Sequence, residues 1–225
     1  MLLPFLIAAV GGYLLGSLPF GYLVARARGV DIFKAGSGNP GATNVKRVLG
    51  AKAGNLVYLL DALKGAVAAG WPLVYILLSP GASALATPGP GGHSLWTIDW
   101  SLAAAVTGLA AAVLGHSFSC FTRFRGGKGV ATASGGLLVL MPVPIMIGGA
   151  VWFATFLASR YVSLASIFSS IAVPAAAWAF GLPLGLNIVV SMLGVLLIAR
   201  HRSNIRRLLA GTEHRWERRP KEDAT

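Results

Sequence analysis

The sequence predicts an all-α, polytopic integral membrane protein of seven short transmembrane helices, with its N-terminus outside and its C-terminus in the cytoplasm. Three observations predict it. Of 225 residues, 55% are hydrophobic and only 12% charged, whereas a soluble domain carries about 25% charged residues. The charges are also segregated, so that charge-free runs alternate with short basic stretches, as bilayer-spanning segments require. Finally, the basic stretches fall into one consistent orientation under the positive-inside rule.

A spanning helix needs about 20 mostly apolar residues. The first run, residues 2–24, lacks the basic opening of a secretory signal peptide and reads as a retained helix. Further runs follow at 54–78, 102–115, 130–159, 164–180 and 184–199. The first linker holds Arg26, Arg28, Lys34, Lys46, Arg47 and Lys52 against one acid, Asp31. The 79–99 loop has no Lys or Arg, while Arg123, Arg125 and Lys128 crowd the next linker and a basic tail follows Arg200. The basic linkers are therefore expected inside and the 79–99 loop outside.

Parity then demands an even number of crossings between Lys128 and Arg200. Counting 130–159 as one span gives an odd number. Pro142 and Pro144 lie in its middle, and proline removes a backbone donor and breaks or kinks a helix. Two short helices meeting near 141–144 restore the parity and return Arg160 to the inner side; a re-entrant hairpin gives the same parity. Abundant Gly and Ala predict close helix packing through small residues. The chain reads as one membrane domain, 1–210, with a charged, partly disordered tail, 211–225. The lone Cys120 excludes an intramolecular disulfide. His116, four residues earlier, is a formal activating partner, but Cys120 reads more simply as a small buried apolar residue.

Three polar clusters fall on the predicted inner side. The first runs from Gly36 through Ser37, Gly38, Asn39, Pro40, Gly41, Ala42, Thr43 and Asn44 to Lys46 and Arg47. It spells a formal G-x-G-x-x-G, but no strand precedes it and no βαβ unit follows, so the dinucleotide reading fails. Its hydroxyls, amides and Arg47 suit an anion, although a plain turn between helices is the competing reading. The second runs from His116 to Gly129. Gly126, Gly127 and Gly129 allow backbone N–H groups to converge on a phosphate beside Lys128, with Arg125 flanking. A helix starting near Val130 aims its positive end there. The Ser or Thr that a Walker A loop places after the lysine is replaced by Gly129, so the loop fits phosphate without that magnesium ligand; a basic loop touching headgroups is the simpler alternative. The third comprises Arg160, Ser163 and Ser166 with His201, Asn204 and Glu213. Ser163 competes with a helix-capping role, and His201 and Asn204 with ordinary interfacial polarity. Within the 54–78 span, Asp61 and Lys64 are three apart on one face and able to neutralise each other; intramembrane charges are functional candidates by default.

These segments together resemble the bacterial acyl-phosphate-dependent glycerol-3-phosphate acyltransferases, the PlsY-type membrane family. The resemblance is carried by GSGNPGATNVKR (36–47), LDALKG (60–65), GHSFSCFTRFRGGKGVATASG (115–135), RYVSLAS (160–166) and HRSNIRRLLAGTE (201–213), in order along nearly the whole chain. It implies transfer of a fatty acyl group from acyl phosphate to the 1-hydroxyl of glycerol 3-phosphate, giving lysophosphatidic acid and phosphate, at the inner face of a bacterial cytoplasmic membrane. It also implies essential roles for Ser37 and Arg47, glycerol-3-phosphate binding by the glycine loop around Lys128, and roles for His201, Asn204 and Glu213.

The expected catalytic set is Ser37, Arg47, Lys128, His201 and Asn204. The expected binding set adds Gly38, Asn39, Thr43, Asn44, Lys64, His116, Arg125, Gly126, Gly127, Gly129, Ser163 and Glu213. No metal, cofactor, nucleic acid or obligate protein partner is expected. None of the four histidines has Asp five residues on, so the H-x-x-x-x-D base pair of other acyltransferases is absent. Either His116 or His201 acts alone as base, or a substrate phosphate takes the proton. The main rival, an organic-anion transporter, calls for charge approaching the midplane from both faces, and the nearly charge-free 79–99 loop argues against it. The net charge of +12 is explained by topology rather than by nucleic acid.

Overall fold

The computed structural model describes residues 2–78 and 100–216; the outer loop expected at 79–99 lies outside the described residues. Among them the chain is helical and has no strand: α1 (Leu2–Ser17), α2 (Phe20–Arg26), α3 (Ala42–Leu49), α4 (Ala51–Leu78), α5 (Trp100–Ser117), α6 (Val130–Leu140), α7 (Pro142–Ser159), α8 (Val162–Ala179), α9 (Leu184–Arg200) and α10 (Arg202–Leu209).

The prolines act where the sequence puts them. Pro142 opens α7 at its first turn, where its missing N–H costs nothing, and Met141 takes the break with φ −148° and ψ 72°. α6 has 11 residues and rises about 16 Å, roughly half of the about 30 Å hydrocarbon core. Among the described residues, four helical segments are long and apolar enough to cross a membrane: 2–26, 101–122, Pro142–Ser159 and Val162–Ala179; a fifth is the pair α9 and α10, bent by 55°. α7 turns most of its surface outward, and Leu3, Met146, Phe153, Met192 and Val195 are all exposed. Apolar faces this large belong against lipid.

Small residues set the packing, as expected. α1 pairs with α5, α4 with α6 and α7 with α8. A Cβ on Gly12 would strike the Gly108 carbonyl, and one on Gly135 would strike that of Ala62, so the backbones meet directly. The main core joins Leu109, Val113, Leu137, Val173, Val190 and Leu197 from α5, α6, α8 and α9. A smaller one, Ile32, Val45, Ala53 and Val57, lies under the first linker.

The basic linkers gather at one end of the bundle. Arg125 stacks on Phe33 and Lys46 on Trp216, Trp216 N–H donates to the Arg160 carbonyl, and Lys128 reaches Asn204. Several details differ from the sequence reading. Pro19 splits the first run into α1 and α2, and the first linker and tail contain the short helices α3 and α10. Cys120 is exposed rather than buried: its 3-10 turn, Cys120–Thr122, lies on the surface and only Thr122 points inward. Residues 212–216 are tied down, Thr212 N–H to the Arg207 carbonyl and Trp216 N–H to the Arg160 carbonyl, and the rest of the tail lies outside the described residues.

Candidate active site

Glu213 is the hub of the polar cluster at the basic end. Its Oε1 accepts from Asn204 Nδ2 at 2.7 Å and Ser163 Oγ at 2.8 Å, and its Oε2 accepts from Arg207 Nε at 2.7 Å. Asn204 is thereby oriented so that its Oδ1 accepts from Lys128 Nζ at 2.6 Å. The helices supply these groups by simple geometry. Asn204 and Arg207 are three apart on α10 and share a face. Ser163 stands in the first turn of α8, past the N-cap residue Tyr161 and without a capping bond. Ser166 faces elsewhere, accepting from Trp152 Nε1 and donating to the Val162 carbonyl.

Positive charge exceeds negative here. Burial lowers the Lys128 pKa to about 8; Glu213 opposes this, and Arg207, Arg47 and Arg200 add to it. Burial likewise lowers the Arg47 pKa, against the pull of Glu213, and the buried Arg47 Nε has no hydrogen-bond partner. Burial pushes the Glu213 carboxyl up, but its bonds from Asn204, Ser163 and Arg207 outweigh this and hold it below the usual range. His201 is 2% exposed, and its Nδ1 lies 2.8 Å from the Leu197 carbonyl. Burial first and Lys128 second bring its pKa down to about 4, so it is neutral at pH 7.

The glycine loop enters from α5. Gly127 N–H donates to the His116 carbonyl at 3.0 Å, and Arg200 donates to the Gly126 and Gly127 carbonyls at 3.2 and 2.9 Å. Gly127 N–H is therefore committed to the protein, whereas Gly129, at φ 88°, opens α6 and leaves that helix's N-terminus beside Lys128. In the first cluster, Asn44 is 3% exposed and both ends of its amide shape the loop: Oδ1 accepts from Ser37 N–H at 2.8 Å and Nδ2 donates to the Ala35 carbonyl at 3.0 Å. Asn39 Oδ1 accepts from Gly41 N–H at 2.9 Å. Gly36 and Gly38 have φ of 58° and 69°, a region that disfavours side chains. Ser37 is left exposed and Thr43 half-buried. Arg125 is exposed on Phe33.

Lys64 and His116 form a separate buried group with Asp61. Lys64 Nζ lies 2.8 Å from Asp61 Oδ1 and donates to the Leu18 carbonyl at 2.9 Å. The sequence reading missed Arg200 and Arg207. Arg207 was within reach of it, because its spacing from Asn204 puts both on one helix face; Arg200 had no such signal.

From Val130, two residues past Lys128, an apolar recess opens among α6, α7, α8 and α9. Val130, Ser166 and Leu197 lie toward the loop, and Leu137, Pro174 and Val190 lie deeper.

Fold and site together define a helical membrane protein with a cationic cluster at one end and an apolar recess among its helices. The glycerol-3-phosphate acyltransferase family profile matches residues 6–211. A glycerol-3-phosphate acyltransferase of Aquifex aeolicus is 41% identical over 211 residues, covering 94% of this chain and 98% of the relative. One from Synechococcus sp. (strain JA-3-3Ab) is 43% identical over 221 residues, covering 96% and 97%. The crystal structure of PlsY, an integral membrane glycerol 3-phosphate acyltransferase, superposes in its glycerol 3-phosphate form with a TM-score of 0.79 at 39% identity, covering 95% of this chain and 96% of that one. Its lysophosphatidic acid form gives 0.77. The chain belongs to the glycerol-3-phosphate acyltransferase family.

Proposed function

We propose that the protein transfers a fatty acyl group from acyl phosphate to the 1-hydroxyl of glycerol 3-phosphate, releasing lysophosphatidic acid and inorganic phosphate. The observation that carries this reading is the cationic cluster of Lys128, Arg47 and Arg207 around one carboxylate, Glu213, together with the apolar recess that opens from Val130. Phosphate groups suit the first and a fatty chain the second. The crystallised relative is named for forms with glycerol 3-phosphate and lysophosphatidic acid, and both carry a phosphate on a glycerol frame.

In this reading Lys128, Gly129 and the α6 N-terminus hold glycerol 3-phosphate, assisted by Asn204, while Ser37 and Arg47 hold the acyl phosphate. The substrate hydroxyl oxygen attacks the acyl carbon, the bond from that carbon to the phosphate oxygen breaks, and the hydroxyl proton leaves on the phosphate. Acyl phosphate is already an activated mixed anhydride, so positioning and charge compensation are the protein's main tasks. His201, with a pKa of about 4, is a poor base at neutral pH, which favours the phosphate as proton acceptor. Its neutral ring is better suited to a hydrogen bond.

We place the site at the cytoplasmic face of a bacterial inner membrane, within a single domain of residues 1–210 to which the 211–225 tail lends Glu213. The seven passages are α1 with α2, then α4, α5, α6, α7, α8 and α9, N-terminus outside. Support comes from the clustering of basic linkers at one end and from the positive-inside rule. Purified protein given labelled glycerol 3-phosphate should form lysophosphatidic acid from palmitoyl phosphate and none from acyl-CoA or acyl-carrier protein. Product from acyl-CoA alone would overturn the donor assignment.

A further inference from the structure

A second group of buried charges, outside the cluster around Glu213, touches the backbone that leads into Lys128. Asp61 and Lys64 on α4 are 2% and 3% exposed, and His116 near the end of α5 is 9% exposed. Asp61 Oδ1 has no aligned hydrogen-bond donor and is held by charge, with Lys64 Nζ at 2.8 Å and His116 Nδ1 at 3.4 Å. Lys64 also stacks on Phe20 and bonds the Leu18 carbonyl, so it is anchored.

The other edge of the His116 ring meets the glycine limb. A Cβ on Gly127 would coincide with His116 Nε2, and one on Gly126 would run into the carbonyls of His116 and Ser117. The limb therefore lies flat on this residue, and Gly127 N–H closes the contact by donating to the His116 carbonyl at 3.0 Å. Arg200 grips the carbonyls of Gly126 and Gly127. Ser17, Phe20 and Asp61 line a small recess together with the limb. Contact with His116 and Arg200 fixes the height of the limb, and with it the reach of Lys128.

We infer that Asp61 and His116, braced by Lys64, form a positioning unit that sets the Gly126–Gly127 limb and so the placement of Lys128 on its phosphate. The inference rests on the reading of Lys128 as a phosphate ligand. Asp61 selects the tautomer and tilt of the ring, because the partner of one imidazole nitrogen decides the state of the other. The ring has Asp61 on one nitrogen and Gly127 against the second. A misplacement of about 1 Å at a positioned group costs on the order of 100-fold in rate, so a small tilt matters.

Steady-state kinetics with each substrate varied in turn, alongside thermal unfolding in detergent, test this. His116→Ala and Asp61→Asn should each raise the KM for glycerol 3-phosphate about tenfold or more, with the acyl-phosphate KM within about twofold. His116→Asn, which keeps a donor toward Asp61, should recover part of the loss. Gly127→Ala should be as damaging as His116→Ala, and the double variant no worse than Gly127→Ala alone, because the methyl enters the space the ring vacates. If Asp61→Asn does not fold, Asp61→Asn with Lys64→Gln removes both charges and takes its place. Unchanged KM in His116→Ala while Lys128→Ala raises it, or losses that multiply in the double variant, would overturn the positioning unit. An unchanged glycerol-3-phosphate KM in Lys128→Ala overturns the underlying reading of the lysine instead.

Discussion

Glu213 and Asp61 are both covered carboxylates paired with cations, and both have a histidine nearby, yet the charge around them balances differently. Around Glu213, the charges of Lys128, Arg47 and Arg207 face a single carboxylate, leaving an excess that a phosphate dianion is able to balance. Around Asp61, Lys64 supplies the one permanent opposite charge, and the pair is closed. The Glu213 cluster also keeps capacity in reserve, since Arg47 Nε is buried without a partner. Lys64 is directed instead at Asp61, the Leu18 carbonyl and the Phe20 ring.

The two carboxylates should differ most in what they contribute to stability. Asp61→Ala strands Lys64 in an apolar helix bundle, and removing one partner of a buried pair costs about 3–5 kcal/mol. A large drop in Tm is expected, recovered in good part by Asp61→Leu with Lys64→Met. Lys128→Ala should show the reverse pattern, with Tm little changed and kcat/KM for glycerol 3-phosphate down about 100-fold, roughly 2.7 kcal/mol. Equal Tm losses in the two variants would erase the distinction.

Acidity sharpens the contrast. Lys128 must be charged to capture phosphate, and its pKa is lowered to about 8, so the free enzyme's kcat/KM should fall progressively above pH 8. Deprotonation removes the attraction, which puts the loss on the alkaline side. Folding stability runs the other way: between about 8 and the ordinary lysine value near 10.4 the unfolded chain binds the proton that the folded one has released, so this group's contribution rises with pH. A profile of kcat/KM flat to pH 10 would place the functional lysine elsewhere. The smallest effect separates two serines. Ser163→Ala loses one hydrogen bond to a charged group, about 1.5–3 kcal/mol, and should lower turnover by tenfold or more. Ser166→Ala, away from Glu213, should leave the glycerol-3-phosphate KM unchanged.

Local chemistry made much of this legible from sequence. Pro142 and Pro144 located the break between α6 and α7, the i,i+3 spacing paired Asp61 with Lys64, and Gly129 marked the start of α6. The gathering of distant motifs at one end followed from charge and parity. What escaped depended on contacts that have no local signature. Nothing in the run 2–24 showed that Pro19 would split the helix instead of merely bending it. The choice of Ser163 over Ser166 depends on where the tail places Glu213, some fifty residues later. Arg200 holds the glycine limb from a helix end that reads as ordinary interfacial charge. Cys120 was misjudged because its apolar neighbours Phe118 and Phe121 are exposed too, on a surface turn rather than in a core.

In the proposed reading, Lys128 and the charges around Glu213 form the phosphate-binding site. Calorimetric titration of glycerol 3-phosphate into wild-type protein and Lys128→Ala, both in detergent at pH 7, tests it without requiring turnover. Binding to the wild type that weakens about 10- to 100-fold in the variant, as loss of a charge-assisted hydrogen bond implies, is the predicted result. Equal affinities in two folded proteins would contradict it.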